Sequence, residues 1–185
     1  VESCTLCTGG FYCPDAGQTT ASLPCGAGYY CSGGASDATP ALGSSGGPCP
    51  AGSRCPEGSQ AAIPCSAGSY QDEEGQGECK DCPAGFYCEQ GETNFTRTPC
   101  PAGRYCPGNT THADEYLCPE GTFRASTHGE TELDCTTCTA GAYCSSPGLS
   151  APIGDCDVGY YCTGGSKTPR PTGIGGDQCT SGTFC

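Results

Sequence analysis

The sequence predicts small disulfide-rich modules, short β-hairpins and loops stacked into an elongated rod, with almost no helix. Three observations lead there. The chain has 185 residues, of which 21 are cysteine, above the roughly 8–10% that marks a disulfide scaffold. Only 35% of it is hydrophobic, cysteines included, with no Met and no Trp. A seven-residue motif, C-x-x-G-x-[YF]-C, recurs from end to end.

The first two observations set what holds the chain together. Leu, Ile, Val and Phe are too few and too scattered to fill the core of one large domain, so burial of apolar surface alone cannot outweigh chain entropy. Crosslinks have to, each contributing roughly 2–4 kcal/mol. Crosslinks at this density imply an oxidising compartment, which means extracellular or cell-surface. No signal peptide is visible ahead of Val1 and no apolar run is long enough to span a bilayer, so this segment is expected to have no membrane insertion and to be a piece of a longer chain. The net charge of −13 argues against nucleic acid, whose phosphates would repel it, and against an anionic membrane surface.

The repeat supplies the local structure. The motif reads CTGGFYC from Cys7, CGAGYYC from Cys25, CPAGFYC from Cys82, CPAGRYC from Cys100, CTAGAYC from Cys138, CDVGYYC from Cys156 and CTSGTFC from Cys179. CPAGSRC from Cys49 has Arg54 in the aromatic place, while CSAGSYQ from Cys65 and CPEGTFR from Cys118 lack the second cysteine. Three quartets share one spacing and each is preceded by a cysteine three positions back, so C-x2-C-x5-C-x11-C-x5-C begins at Cys4, Cys79 and Cys135. The domain division that follows is unit 1 at 1–31, linking modules at 32–78, unit 2 at 79–106, a single-loop module at 107–134, unit 3 at 135–162, and the start of the next linking module at 163–185. The tails after units 1 and 3, "SGGASDATP…GGPCPAGSRC" and "TGGSKTPRPTGIGGDQCTSGTFC", match each other. On that larger period the array is expected to continue past both termini. A half-unit before Val1 would then supply the partner of Cys4; otherwise Cys4 bridges to a neighbouring protomer.

Within the heptad each letter has a physical role. The glycine three places after the first cysteine (Gly10, Gly28, Gly85, Gly103, Gly141, Gly159) suits a turn with positive φ that a Cβ would hinder. The aromatic before the second cysteine (Tyr12, Tyr30, Tyr87, Tyr105, Tyr143, Tyr161) can lie over a disulfide. Runs such as "GFYC" allow a strand of two or three residues. Helical periodicity is absent. Modules this small have no core of their own, so neighbours must stack.

These motifs resemble the ephrin-receptor-type cysteine-rich repeat, itself similar to growth-factor-receptor and tumour-necrosis-factor-receptor modules. Such repeats occur in receptor ectodomains and, as long arrays, in surface proteins of protists and algae, including mastigoneme proteins that form hair-like filaments on cilia. The resemblance implies pairing of first with third and second with fourth cysteine in each quartet: Cys7–Cys25 and Cys13–Cys31, Cys82–Cys100 and Cys88–Cys106, Cys138–Cys156 and Cys144–Cys162. For the single-loop pieces it implies Cys65–Cys79 and Cys118–Cys135. Sequence alone does not establish these pairings. Of the remainder, Cys49–Cys55 and Cys179–Cys185 would be local pairs, and the odd total leaves Cys4 to look outside the chain.

Other chemistry is weakly supported. The C-x2-C pairs at 4–7, 79–82 and 135–138 are too far apart for a zinc site. His112 and His128, the only histidines, flank no nucleophile in a hydrolase arrangement. The carboxylates of "QDEEGQGE", Asp72, Glu73, Glu74 and Glu78, read as a solvated acidic loop, with weak calcium binding as the functional alternative, although no EF-hand spacing is present. Asp114–Glu115 and the Glu130, Glu132, Asp134 group read the same way. No cofactor and no enzymatic activity are expected. Two sequons, Asn94-Phe95-Thr96 and Asn109-Thr110-Thr111, fall in loops between modules and are expected to carry N-linked glycans. The stretches 17–22, 43–47 and 166–172 could take O-linked sugar. The expected function is a structural glycoprotein segment of a cell-surface filament or coat, associating with itself or with neighbouring repeats of the same array. The alternative is a receptor or adhesion ectodomain that binds a protein ligand.

Overall fold

The computed structural model describes residues 5–18, 20 and 23–182. Seven two-stranded antiparallel ladders carry the secondary structure: Phe11–Tyr12 with Leu23–Pro24, Tyr29–Cys31 with Gly46–Pro48, Ser53–Arg54 with Ile63–Pro64, Ser69–Tyr70 with Lys80–Asp81, Thr122–Phe123 with Thr136–Thr137, Ala142–Tyr143 with Gly154–Asp155, and Tyr160–Cys162 with Gly176–Gln178. Single bridges Phe86↔Pro99 and Arg104↔Leu117 repeat the pattern in the two remaining modules. The aromatic end of each heptad thus pairs with the residues just before the next heptad. Helix among the described residues is limited to two 3-10 turns, Phe95–Arg97 and Glu132–Asp134. This is the modular, disulfide-rich, nearly helix-free architecture that the composition predicts.

The chain divides into two compact units. One holds 1–82 and 88–95, the other 83–87 and 96–185. Inside each unit the same backbone bonds recur. In the first, the N–H groups of Gly10, Gly28, Gly52 and Gly68 donate to the carbonyls of Cys31, Cys55, Gln71 and Cys88 at 2.7–2.8 Å, while the N–H groups of Cys25, Cys49, Cys65 and Cys82 donate back to the same four glycine carbonyls. In the second, Gly85, Gly103, Gly121 and Gly141 donate to Cys106, Arg124, Cys144 and Cys162, and Cys100, Cys118, Cys138 and Cys156 donate back. Each of these eight heptad glycines therefore bonds the following heptad through both its backbone groups. This meets the requirement that buried polar backbone find partners.

A second recurring contact locks each heptad to the turn after its successor. The N–H of Gly34, Gly58, Gly75 or Gly91 donates to the first-cysteine carbonyl of Cys7, Cys25, Cys49 or Cys65 in the first unit. His128, Gly148 and Gly165 do the same for Cys100, Cys118 and Cys138 in the second. All these turn residues lie in the left-handed region, at φ between 60° and 79°. The heptad glycines lie there too: Gly10 is at φ 85° and Gly52 at φ 77°.

The buried interior is largely sulfur. Cys25, Cys31, Cys49, Cys55, Cys65, Cys88, Cys100, Cys106, Cys118 and Cys144 are fully buried. Tyr12 and Tyr29 pack against the cluster of Cys25, Cys31 and Ala35.

Candidate functional surface

The disulfides decide how the modules are closed. Among the described residues the structure pairs Cys7–Cys13, Cys25–Cys31, Cys49–Cys55, Cys82–Cys88, Cys100–Cys106, Cys138–Cys144 and Cys156–Cys162, all within single heptads. This differs from the first-to-third and second-to-fourth pairing that the receptor resemblance implies for Cys7, Cys13, Cys25, Cys31, Cys82, Cys88, Cys100, Cys106, Cys138, Cys144, Cys156 and Cys162. The physical reason is the glycine turn. With its glycine at positive φ, the heptad folds back on itself and brings the two cysteine Cα atoms to 5.8–6.2 Å, inside the range that a disulfide spans. Neighbouring heptads are then joined by backbone hydrogen bonds instead of by sulfur. Cys179 is also disulfide-bonded, while Cys4 and Cys185 lie outside the described residues.

The two heptads without a second cysteine are closed differently. Cys65 pairs with Cys79 and Cys118 with Cys135. Cys79 and Cys135 stand three residues before the next heptad, next to the strand that pairs back onto Ser69–Tyr70 or Thr122–Phe123. The C-x2-C pairs at 79–82 and 135–138 are thereby each split between two different disulfides, which removes them as thiolate ligands. Among the described residues no group of three or more His, Cys, Asp or Glu is placed to hold a metal ion.

The residues filling the vacant cysteine places organise the loops that follow. Gln71, 1% exposed, donates from Nε2 to the Glu78 carbonyl at 2.7 Å, and its Oε1 accepts from the Glu73 N–H at 3.1 Å. Arg124 donates from Nη1 to the Asp134 carbonyl at 2.9 Å and from Nη2 to the Thr127 carbonyl at 3.0 Å. Both keep the second-cysteine backbone bonds, since their carbonyls accept from Gly52 and Gly103. The sequence marked these two copies as irregular. That Gln71 and Arg124 bind the backbone of the loops that follow them is a matter of side-chain geometry that the letters do not show.

The acidic loops carry their own partners. Lys80 Nζ donates to Asp72 at 2.6 Å and lies 3.4 Å from Glu73, so the "QDEEGQGE" loop supplies its own cation. Both groups are well exposed, and such pairs contribute little to stability. The Lys80 bond holds the Asp72 carboxyl below the ordinary carboxylate range. In the 130–134 loop, Asp134 Oδ2 accepts from the Thr131 N–H at 2.9 Å and the Glu130 N–H at 2.8 Å. These bonds, Thr131 first, hold its carboxyl below the usual range. A depressed folded-state pKa means that the unfolded chain binds the proton more readily. The stabilisation is therefore complete above the free value of about 3.9 and is lost as pH falls through the lower folded value. An NMR titration should show the Asp134 carboxyl with a midpoint below that of free Asp, and Asp134→Asn should remove the acid-dependent loosening of residues 130–134. A midpoint at or above the free value would contradict the geometry.

His112 and His128 are both exposed. His128 takes the turn position that glycine holds elsewhere, at φ 60°, and its ring stands edge-on to Phe86 at 5.0 Å. Asn94 and Asn109 are exposed. Two shallow grooves are present, one along Pro56–Ile63 and one around Thr5–Thr8 with Cys13, Gln18 and Thr20. The recurring aromatics Phe11, Tyr29, Phe86 and Tyr160 are half-buried rather than projecting. Exposed aliphatic side chains instead recur in the two matching tails, Leu42 at 77% and Ile174 at 102% exposure, beside turns bridged by Gly43↔Gly46 and Gly173↔Gly176.

Residues 52–97 match the family described as "Tyrosine-protein kinase ephrin type A/B receptor-like". The match runs from the glycine of the CPAGSRC heptad through the Cys65–Cys79 module and the first heptad of unit 2. No curated protein matches the chain. The matched segment and the disulfides mark this as a cysteine-rich repeat protein of extracellular type.

Proposed function

We propose that this cysteine-rich repeat chain, whose residues 52–97 match an ephrin-receptor-like module, is a non-enzymatic structural segment of a cell-surface filament or coat, of the mastigoneme-like kind. One observation carries the reading: successive heptads repeat the same inter-module bonds, through the glycine and both cysteine positions, with Gln71 and Arg124 preserving them where cysteine is missing. A ligand-binding ectodomain singles out one module with its own surface. Here each of the two matching tails exposes an aliphatic side chain at its glycine-bridged turn, Leu42 just before Gly43 and Ile174 just after Gly173, which suits contacts made by more than one module along an assembly of like copies. The partners are then further repeats of the same array.

The match of 52–97 to a receptor-type module favours a second reading, a receptor or adhesion ectodomain that binds a protein ligand. Electron microscopy of native material separates the two. Ordered filaments or a lattice are expected from the first reading. Monodisperse particles that bind a soluble or cell-surface protein at one module would overturn it in favour of the second.

A further inference from the structure

The left-handed turn position after each heptad belongs to glycine at Gly34, Gly58, Gly75, Gly91, Gly148 and Gly165. Asn109 occupies it at φ 66°. The surrounding turn copies a glycine version elsewhere in the chain. In Cys55-Pro56-Glu57-Gly58-Ser59 the Ser59 hydroxyl donates to the Pro56 carbonyl at 2.5 Å. In Cys106-Pro107-Gly108-Asn109-Thr110 the Thr110 hydroxyl donates to the Pro107 carbonyl at 2.5 Å. Thr110 is 1% exposed and faces inward, whereas Asn109 beside it is exposed. The fold therefore asks this position for a left-handed backbone, which glycine supplies at lower cost and which asparagine tolerates best among the other residues.

Thr111 completes the acceptor triplet Asn109-Thr110-Thr111. Its N–H and its hydroxyl both donate to Glu115 Oε2, at 2.8 and 2.9 Å, so the chain beyond the turn is held while the Asn109 position faces solvent. The second triplet, Asn94-Phe95-Thr96, stands on its own ground. Phe95 packs its ring against Tyr70 at 4.9 Å, and Asn94 and Thr96 on either side of it are exposed. In both triplets the middle residue is turned into the protein and the asparagine is left on the surface.

We propose that Asn109 and, independently, Asn94 are acceptors of N-linked oligosaccharide. The donor class is a lipid-pyrophosphoryl oligosaccharide of the secretory pathway. The asparagine Nδ2 forms a bond to the anomeric C1 of the first sugar, the C1–O bond to the lipid pyrophosphate breaks with its electron pair, and the amide gives up one proton to a base on the transferase. No oxidation or reduction is involved. The proposal rests on the extracellular reading alone and not on filament formation.

Secretion of the chain from eukaryotic cells, followed by glycopeptide mass spectrometry, tests it. The wild type is expected to carry glycan at both asparagines. Asn109→Gly should lose the glycan at 109 while keeping the Cys100–Cys106 and Cys118–Cys135 disulfides, because glycine fits the turn. Thr111→Ala retains Asn109 and should lose the same glycan. Asn94→Gln should lose only the other. Oxidised, secreted wild type with both asparagines bare overturns the proposal, as does a Thr111→Ala variant that retains full occupancy at Asn109. Glycosylated protein that forms no filaments would leave these sites standing and remove only the structural reading above.

Discussion

Reduction of the disulfides should unfold this protein completely in native buffer. The seven described heptad disulfides close loops of sequence separation 6, and chain-entropy arguments give each about 2 kcal/mol. The Cys65–Cys79 and Cys118–Cys135 bridges, with separations of 14 and 17, give roughly 3 kcal/mol each. Together they exceed the ~5–15 kcal/mol of net stability that a folded domain normally has. Among the described residues no other core stands behind them, since the buried hydrophobic residues are almost all cysteines. Circular dichroism and gel filtration should show loss of the short ladders and an expanded chain once a reductant is added. Alkylation of the unreduced, denatured chain should tag little more than the odd cysteine. Peptide mapping should recover Cys25–Cys31 as a loop within one short segment. A peptide joining Cys7 to Cys25, or a compact reduced chain, would count against this account.

Alanine at Gly52 should be far more damaging than alanine at Gly85, although both are the same letter of the same heptad. Both sit at positive φ, 77° and 83°, which costs an L residue roughly 1–2 kcal/mol. At Gly85 the nearest atom to a Cβ would be the His128 carbonyl oxygen at 3.5 Å, an ordinary contact, so that strain is the main cost. At Gly52 a Cβ would lie 2.5 Å from the Gly91 carbonyl oxygen and 3.0 Å from Thr93 Cγ2. Gly91 is itself fixed by donating to the Cys65 carbonyl at 2.9 Å, so the turn cannot retreat without breaking a bond of the ladder. The expected cost is on the order of 3 kcal/mol. Native-state hydrogen exchange reads it directly. The Gly52 and Gly91 amides should exchange about a hundredfold faster in Gly52→Ala, while Gly85→Ala should shift its neighbours by about tenfold. Equal effects in the two variants would show that backbone strain, and not the packed turn, sets the cost.

The heptad spelled out much of this fold in advance. Its glycine announces a left-handed turn, and its length fits a strand of two or three residues, because both follow from local sterics. The candidate surface was legible in part. The two sequons were visible as letters, but their inward middle residues, Phe95 and Thr110, were not. The turn position shared by Asn109, His128 and the glycines from Gly34 to Gly165 also went unread, since it falls three or four residues past the heptad and its bond runs to the module before.

Sulfur pairing marks the boundary between what the sequence determined and what only the tertiary structure decided. The sequence by itself determined that this is a cysteine-rich, helix-poor repeat, because composition limits the available core and a fixed spacing imposes the same turn each time. It could not determine that Cys7 meets Cys13 and not Cys25, or that Gln71 and Arg124 hold the loops that follow the heptads lacking a second cysteine. Quartet pairing and heptad pairing use the same letters at the same spacings. The choice depends on whether the glycine turn closes far enough to bring Cα atoms within about 6 Å, and on which backbone groups of the next heptad then meet it. Those are distances in three dimensions, between groups that the chain order leaves apart.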